Sequence, residues 1–480
     1  MKIEQIIEYL NKEYGYDVSS SYYSYIREWD KWWRGYYKPF HHFTEVAGTK
    51  KIERDMYTLK MGKKVCEDWA SILLNEKTAI VIKDKASNDF IQGTDQTGGV
   101  FGENKFWMKA NALVEKAFYS GTGAIVLRMN GMVIKDDLVL KDPETQIVFE
   151  YLPALNIIPL TVQQGRIVDV AFVSEVLVKG KKYIYLEKHI KEPTGYQITN
   201  EYLKDEEGVL KKVELPEGII ESYNTGTDIA LFAIITPNIV NNIDDSTGLG
   251  ISVYADAIDC LKGVDLAFNN FCRDFKLGGK KVFINDSLIQ RDENGVIVTP
   301  DDVAQQLFVQ VGDSDLDEQK LIQEFNPTLR VEENKNGIQG QLDYLSFKCG
   351  LGTKHYQFNA GSVVTATQYM GDKQELIQNA SKHYIIVEQA LQDIVRAVLW
   401  CGKEILGQPV NPDTQVTITF DDSYIIDKES ERLRDQAEVR DGLMQKWEYR
   451  VKWYGEDEPK AKQMAASGMT DNEYMGFGGV

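Results

Sequence analysis

The chain has 480 residues, 73 acidic against 54 basic side chains, and a formal net charge of −19. A composition of 43% hydrophobic and 11% aromatic residues allows a large buried core and excludes a disordered chain. The acid excess argues against a protein that grips phosphates along its length, while it fits an acidic enzyme or a channel through which DNA slides without sticking.

No run of about 18 uncharged apolar residues occurs, so no transmembrane helix is expected. The opening Met1-Lys2-Ile3-Glu4 shows no signal-peptide hydrophobic region, and the expected site of synthesis and assembly is a cytosol. Cys66, Cys260, Cys272, Cys349 and Cys401 are scattered without a C-x-x-C pair and read as buried free thiols.

The first segment is aromatic: Tyr22, Tyr23, Tyr25, Trp29, Trp32, Trp33, Tyr36, Tyr37 and Phe40. Basic neighbours such as Arg27 and Lys31 would suit base stacking, but packing anchors are the better reading. Residues 51–76 read as a helix, with Met56, Leu59, Lys60, Lys63 and Cys66 leading into Trp69, Leu73 and Leu74. Phe106, Ala110, Leu113, Val114, Ala117 and Phe118 mark a second helix, ended by Gly121 and Gly123, and Ala124–Leu127 opens a strand. From there to about residue 236 the chain is β-rich, with strands expected at Ile147–Phe149, Ile167–Val173, Tyr183–Leu186 and Tyr196–Ile198. The polar stretch 201–228 reads as a loop or excursion.

After residue 250 the character becomes helical. Val253, Ala257, Leu261, Val264, Phe268, Phe271 and Phe275 are spaced 4-4-3-4-3-4, a near-heptad stripe that requires a long helical partner. Ile338, Leu342, Leu345 and Cys349 supply a matching stripe. Between the two lies a strand-bearing, turn-rich unit that begins at Lys281-Val282-Phe283-Ile284. A third long helix carries Leu376, Ala380, Tyr384, Val387, Leu391, Ile394 and Val398, and a strand follows at Val416–Phe420. From about Asp427 to Lys446 the chain is charged and helical, and its last dozen residues should fray.

No chemistry announces itself. Gly48-Thr49-Lys50 and Gly278-Gly279-Lys280 lack the spacing of a phosphate-binding loop, and no H-E-x-x-H occurs. His41 and His42 are adjacent and should point apart. Ser252 within Gly250–Tyr254 lacks the final glycine of a nucleophile elbow and reads as a helix N-cap. Asp244-Asp245 and Asp421-Asp422 read as turn and cap residues rather than a two-metal pair. No metal, no cofactor and no catalytic residue is expected.

Six segments in order resemble one family, the portal proteins of tailed bacteriophages, within the siphophage group of the SPP1 type. They are WDKWWRGYY from Trp29, VCEDWASILLNE from Val65, EKAFYSGTGA from Glu115, PNIVNNIDDSTGLGISV from Pro237, GLGTKHYQFNAGSVVTATQYM from Gly350 and VTITFDDSYIID from Val416. Gln368 stands where the family usually has Glu, and Gly352 replaces a common Ser. The resemblance implies an α+β portal fold: a mixed α/β wing, long stem helices, a small α/β clip and a helical C-terminal crown, assembled as a ring, usually of twelve subunits. The implied boundaries are wing 1–250, stem helix 251–275, clip 276–336, second stem helix 337–352, tunnel loop 353–370, wing helix and strand 371–426, and crown 427–480.

It further implies a non-enzymatic subunit at one capsid vertex of the virion, assembled in the host bacterial cytoplasm. Double-stranded DNA would pass through it non-specifically. Its partners would be the terminase large subunit, head-completion or adaptor proteins, and the major capsid and scaffolding proteins, with no membrane. Two sets of channel residues are expected. The tunnel loop offers Lys354, His355, Asn359, Ser362, Val363 and Val364. The face opposite the first stem stripe offers Asp256, Asp259 and Asp265, beside Lys262. A solvated outer helix face is the competing reading for the acids, and an ordinary helix connection for the loop. Competing functions are another virion structural protein (an adaptor or minor capsid subunit) or an acidic α/β hydrolase or nuclease. The former should lack a helix–insertion–helix arrangement around 252–352.

Overall fold

Helix α1 (Ile3–Tyr14) buries Ile3, Ile6, Ile7 and Leu10, a single apolar face at helical spacing. Helix α2 (Tyr23–Trp33) buries Tyr23, Ile26, Trp29 and Trp32 in the same way. A computed structural model describes residues 3–47, 50–94, 98–216, 218–279, 281–285, 308–311, 322–357, 366–420 and 428–466. The aromatic segment is indeed a set of packing anchors. The Tyr22 hydroxyl donates to the Gly250 carbonyl at 2.8 Å and that of Tyr23 to the Ile157 carbonyl at 2.7 Å. These bonds supply the polar partner a buried phenol needs.

The expected helix over 51–76 is only partly present. His42–Ala47 (β1) and Lys50–Asp55 (β2) form an antiparallel hairpin, and helix α3 runs from Met61 to Leu73. Cross-strand polar pairs hold residues 51–55 extended: Thr44 with Glu53, Glu45 with Arg54, and His42 with Asp55. Met56, Leu59 and Lys60 precede the helix. β3 (Ala79–Ile82) follows it, and helix α4 (Phe106–Ser120) is buried along most of its length, as its spacing predicts.

Beside α4 lies a three-stranded sheet of β4 (Gly123–Asn130), β5 (Gln146–Pro153) and, later in the chain, β11 (Phe232–Ile235). A larger eight-stranded sheet contains β6 (Ile157–Gln163), β7 (Arg166–Val178), β8 (Lys181–Glu192), β9 (Gly195–Glu206) and β10 (Val209–Val213). About half of the expected loop over 201–228 is therefore strand. Several of its charges pair with one another, Lys204 and Lys211 both meeting Glu206, while Glu201 is buried on Lys188.

Helix α5 (Ile258–Leu277) and helix α6 (Val331–Lys348) pack together. Between them, β12 (Lys281–Asn285) pairs parallel with β13 (Phe308–Val311) and antiparallel with β14 (Ile322–Phe325). Helix α7 spans Ala366–Trp400 and continues as one π turn, Cys401–Ile405. It starts within the stretch assigned to the tunnel loop. β15 (Val416–Thr419) pairs with β3, which ties the late chain back to the early one. Three short helices, α8 (Lys428–Arg440), α9 (Lys446–Tyr454) and α10 (Glu458–Ala466), end the described chain. All five cysteines are free.

Candidate functional site

The stem stripe forms as expected from Ala257 onward. Ala257, Leu261 and Val264 are buried, and they share a core with Ile338, Leu342, Leu345 and Cys349. Phe268 and Phe271 are half-buried against it, while Phe275 is exposed. Helix α5 starts later than predicted. Ser252 is not its N-cap: it is buried, and its hydroxyl donates to the Phe118 carbonyl at 3.3 Å. A short 3-10 turn, Ala255–Ala257, intervenes. Arg330 and Asn334 clasp Asp274 from the other helix at 2.9 and 2.8 Å, and those hydrogen bonds hold its carboxyl below the usual range.

The acidic face of α5 divides in two. Asp265 does not belong to a channel wall. It is 5% exposed, and its two carboxylate oxygens accept from His41 Nε2 at 3.0 Å and from the Leu59 amide at 2.7 Å. The Tyr37 amide donates to His41 Nδ1 at 2.7 Å, which places the ring proton on Nε2, facing Asp265. The same edge continues at helical spacing. Asn269 accepts from the Tyr57 amide at 3.2 Å, and Arg273 pairs with Glu45 at 2.6 Å. The segment 41–59 is thus stitched to α5 at three successive turns. Asp256 and Asp259 remain in solvent. Asp256 accepts from Asn242 Nδ2 at 3.1 Å, and Asp259 meets Lys262 at 2.9 Å.

The root of the expected tunnel loop is tightly built. Gly350 has φ +76°, the Leu351 amide returns to the Ser346 carbonyl at 2.9 Å, and that of Gly350 to the Phe347 carbonyl at 3.0 Å. This is a Schellman closure of α6, and it requires a residue that tolerates positive φ. Trp69 Nε1 donates to the Cys349 carbonyl at 3.1 Å, Asn379 donates to that of Gly350 at 3.1 Å, and Gln339 donates to that of Tyr356 at 2.7 Å. His355 is half-buried, and its Nε2 lies 3.2 Å from Asp68 Oδ2. It therefore anchors the loop root rather than standing free in a channel. Burial opposes ionisation of Asp68, but the His355 and Lys64 contacts prevail and its pKa is lowered. Lys354 is exposed. Asn359, Ser362, Val363 and Val364 lie outside the described residues. Asp68, Trp69, His41 and Asn379 were not picked out as anchors. Trp69 stands inside one of the resembling segments, so its position alone was visible.

Among the described residues, no group of three or more His, Cys, Asp or Glu is placed to hold a metal ion. His42 turns outward to Glu53 and Asp55 while His41 turns inward. His189 is buried on Glu187 at 2.7 Å. His383 accepts the Asn238 amide at 2.9 Å, and burial lowers its pKa to about 3, so its ring is neutral. Asp244 caps a short turn through the Ser246 amide. Asp421 and Asp422 lie outside the described residues. No described helix is long and apolar enough to cross a membrane.

Comparison with known proteins agrees with the resemblance. A family model described as phage portal protein, SPP1 Gp6-like, matches residues 20–446. No curated protein matches the chain. Among solved structures, a chain from the neck of a native GTA particle, determined with twelve-fold cyclic symmetry, matches with a TM-score of 0.38 and 11% identity. That match covers 81% of this chain and 88% of the other. A family match over most of the chain, joined to a paired-helix stem that carries a strand insertion, settles the assignment: the chain belongs to the SPP1 Gp6-like phage portal protein family.

Proposed function

We propose that this portal protein assembles as a ring, of twelve subunits in the virion, and that double-stranded DNA is packaged and later ejected through its central hole. The observation that carries this reading is the antiparallel pair α5 and α6 with a small sheet inserted between their ends. Such a unit projects one end of each subunit away from the rest of the fold. Repeated around an axis, it makes a tube with a terminal collar, where a terminase and later an adaptor protein dock. In this reading residues 1–250 and 366–420 form the wing, 258–277 and 331–348 the stem, the strands between them the clip, and 428–466 the crown.

The wall needs few fixed cations, because each neutralised phosphate adds salt-sensitive affinity and slows DNA. Asp256 and Asp259, whose carboxylates remain in solvent, are the acids assigned to it. Lys354, Asn359, Ser362, Val363 and Val364 are assigned to the tunnel loop, with the His355–Asp68 contact as its fixed root. No bond chemistry is assigned to the subunit. Electron micrographs of the purified full-length chain, sorted by rotational symmetry, test the proposal. Rings of roughly twelve or thirteen copies around an open hole are expected, in keeping with closed cyclic assembly. A population without rings at any concentration overturns it.

A further inference from the structure

Asp89 and Phe90 stand on a short helix, Lys85–Gln92, which Asp84 caps through the Ser87 amide at 2.8 Å. The Asn411 amide donates to the Ser87 hydroxyl at 2.9 Å and ties this helix to the late chain. Phe90 lies on Gly402, inside the π turn that ends α7: a Cβ there would come within 2.6 Å of the ring. The Ile405 carbonyl of the same turn accepts from the Asp142 amide at 2.9 Å, which brings the start of β5 alongside. Between these pieces opens a cleft of about 550 Å³, with Phe90, Ile147 and Leu406 among its apolar walls. A volume of that order is usual for a ligand site.

The polar lining of the cleft consists of acceptors. Asp89 and Glu103 bring carboxylates, and among the described residues no cation pairs with either. Asn104 gives both amide protons to backbone carbonyls, of Val100 at 2.9 Å and of Ile147 at 3.0 Å, so Oδ1 is its remaining polar side-chain atom. Thr145 also lines the cleft. It is 5% exposed, and its buried Oγ1 has no hydrogen-bond partner. A buried hydroxyl left in that state costs about 1–3 kcal/mol, and a ligand donor reaching the floor of the cleft would remove that cost. No Lys or Arg stands among the described lining residues.

We infer that this cleft takes an arginine side chain carried by a partner protein. The inference goes beyond the ring reading and does not depend on it. Charge sets the class of ligand: two unpaired carboxylates beside two neutral acceptors call for a cation rich in donors. Donor number then selects among cations, because a guanidinium offers five N–H donors in a planar fork and an ammonium only three. The apolar walls suit the methylene stem of the same side chain, which packs on apolar surface while its head is charged. A bare metal ion fits less well. Hard cations take six or more oxygen ligands, and among the described residues no three carboxylate, His or Cys side chains converge.

Titration of a fluorescently labelled peptide into the full-length chain, read by anisotropy, tests the site. The probe carries one arginine between two leucines, and companion peptides carry lysine or citrulline (the uncharged analogue) in its place. Saturable binding of the arginine peptide is expected, about tenfold weaker with lysine and about 100-fold weaker with citrulline. Asp89→Asn with Glu103→Gln should weaken the arginine peptide about 100-fold. Thr145→Val should weaken it about tenfold and leave thermal unfolding unchanged or higher, since it removes a buried unsatisfied group. Equal binding of the citrulline peptide, or native-strength binding by either variant, overturns the inference. Calcium or magnesium that displaces the peptide makes the cleft a metal site and overturns it too. Free agmatine binding as tightly as the peptide makes the occupant a small cation and overturns the protein partner. Binding seen only after assemblies are dissociated assigns the cleft to a second copy and overturns an outside partner. Ring formation, read separately by micrographs, is unaffected by any of these results.

Discussion

The sheet-bearing region and the α5–α6 pair meet the same problem, a surface that must be covered, in different ways. Around α3 and the sheets a large core closes within one chain, although single apolar side chains such as Val46, Leu177 and Val240 stay exposed. Trp69 has no solvent exposure, packs edge-on against His383 and donates its indole proton within the fold. The two sheets even bury charge and pair it across one another: Arg128 of the three-stranded sheet bonds Glu187 of the larger one at 2.6 Å and also meets Glu150 of its own sheet, and His189 reaches Glu187 from the other side. In the α5–α6 pair, covering stops halfway. One face of α5 joins the core, one edge is stitched to segment 41–59, and the remaining face, with Asp259, Leu266 and Asn270, stays exposed. The contrast teaches that one region closes its core across many elements, while α5 and α6 close theirs on each other and leave the far side in solvent.

That comparison can be broken in order of expected effect. Trp69→Ala should cost about 3–5 kcal/mol, because the cavity cannot refill from one side and the Cys349 carbonyl loses its donor. Urea denaturation would show it, and a loss under 1 kcal/mol would mean the wing core is looser than its burial indicates. Arg128→Met should cost roughly 3 kcal/mol by leaving the buried Glu187 with His189 as its remaining partner.

Glu187 also carries a pH signature. Burial opposes its ionisation, yet Arg128 and His189 hold its pKa down to about 2. A depressed folded-state pKa means the contribution is fully present above the ordinary carboxyl value of 4.5 and is lost as pH falls towards 2. Stability measured down that range should fall in the native chain and fall less in Arg128→Met. Parallel curves would show that the cluster does not couple to folding.

Asp265→Ala should cost about 2 kcal/mol, since it leaves His41 and the Leu59 amide without an acceptor. Faster amide hydrogen exchange at Leu59 and Tyr57 would report the loosened stitch, and unchanged exchange would show the hairpin held by other contacts. The smallest effect on folding is expected from Asp256→Lys with Asp259→Lys, within about 0.5 kcal/mol for exposed sites. The same variant should slow DNA packaging in capsids assembled with it. Packaging at the native rate would remove these acids from the channel wall.

Legibility followed the length and regularity of each pattern. Helix α4 and the stem stripe were readable because apolar side chains recur at helical spacing over many turns. Segments 50–55 and 201–213 were misread for the same reason in reverse. Their charges suggest helix or loop, and they are strands because partners across a hairpin satisfy those charges. Among the expected channel residues, Asp256, Asp259 and Lys354 lie in solvent, whereas Asp265 and His355 are anchors.

The family, the order of its elements and the apolar face of each long helix are legible in the chain, since these depend on local spacing and on motifs in order. What each polar side chain faces is set by tertiary packing. Asp265 and Asp259 are both acids of α5, but His41, 224 positions away, lies across from one and solvent across from the other. Burial and hydrogen bonding are properties of what packs opposite, and no residue spacing within one segment encodes a partner so distant in the chain.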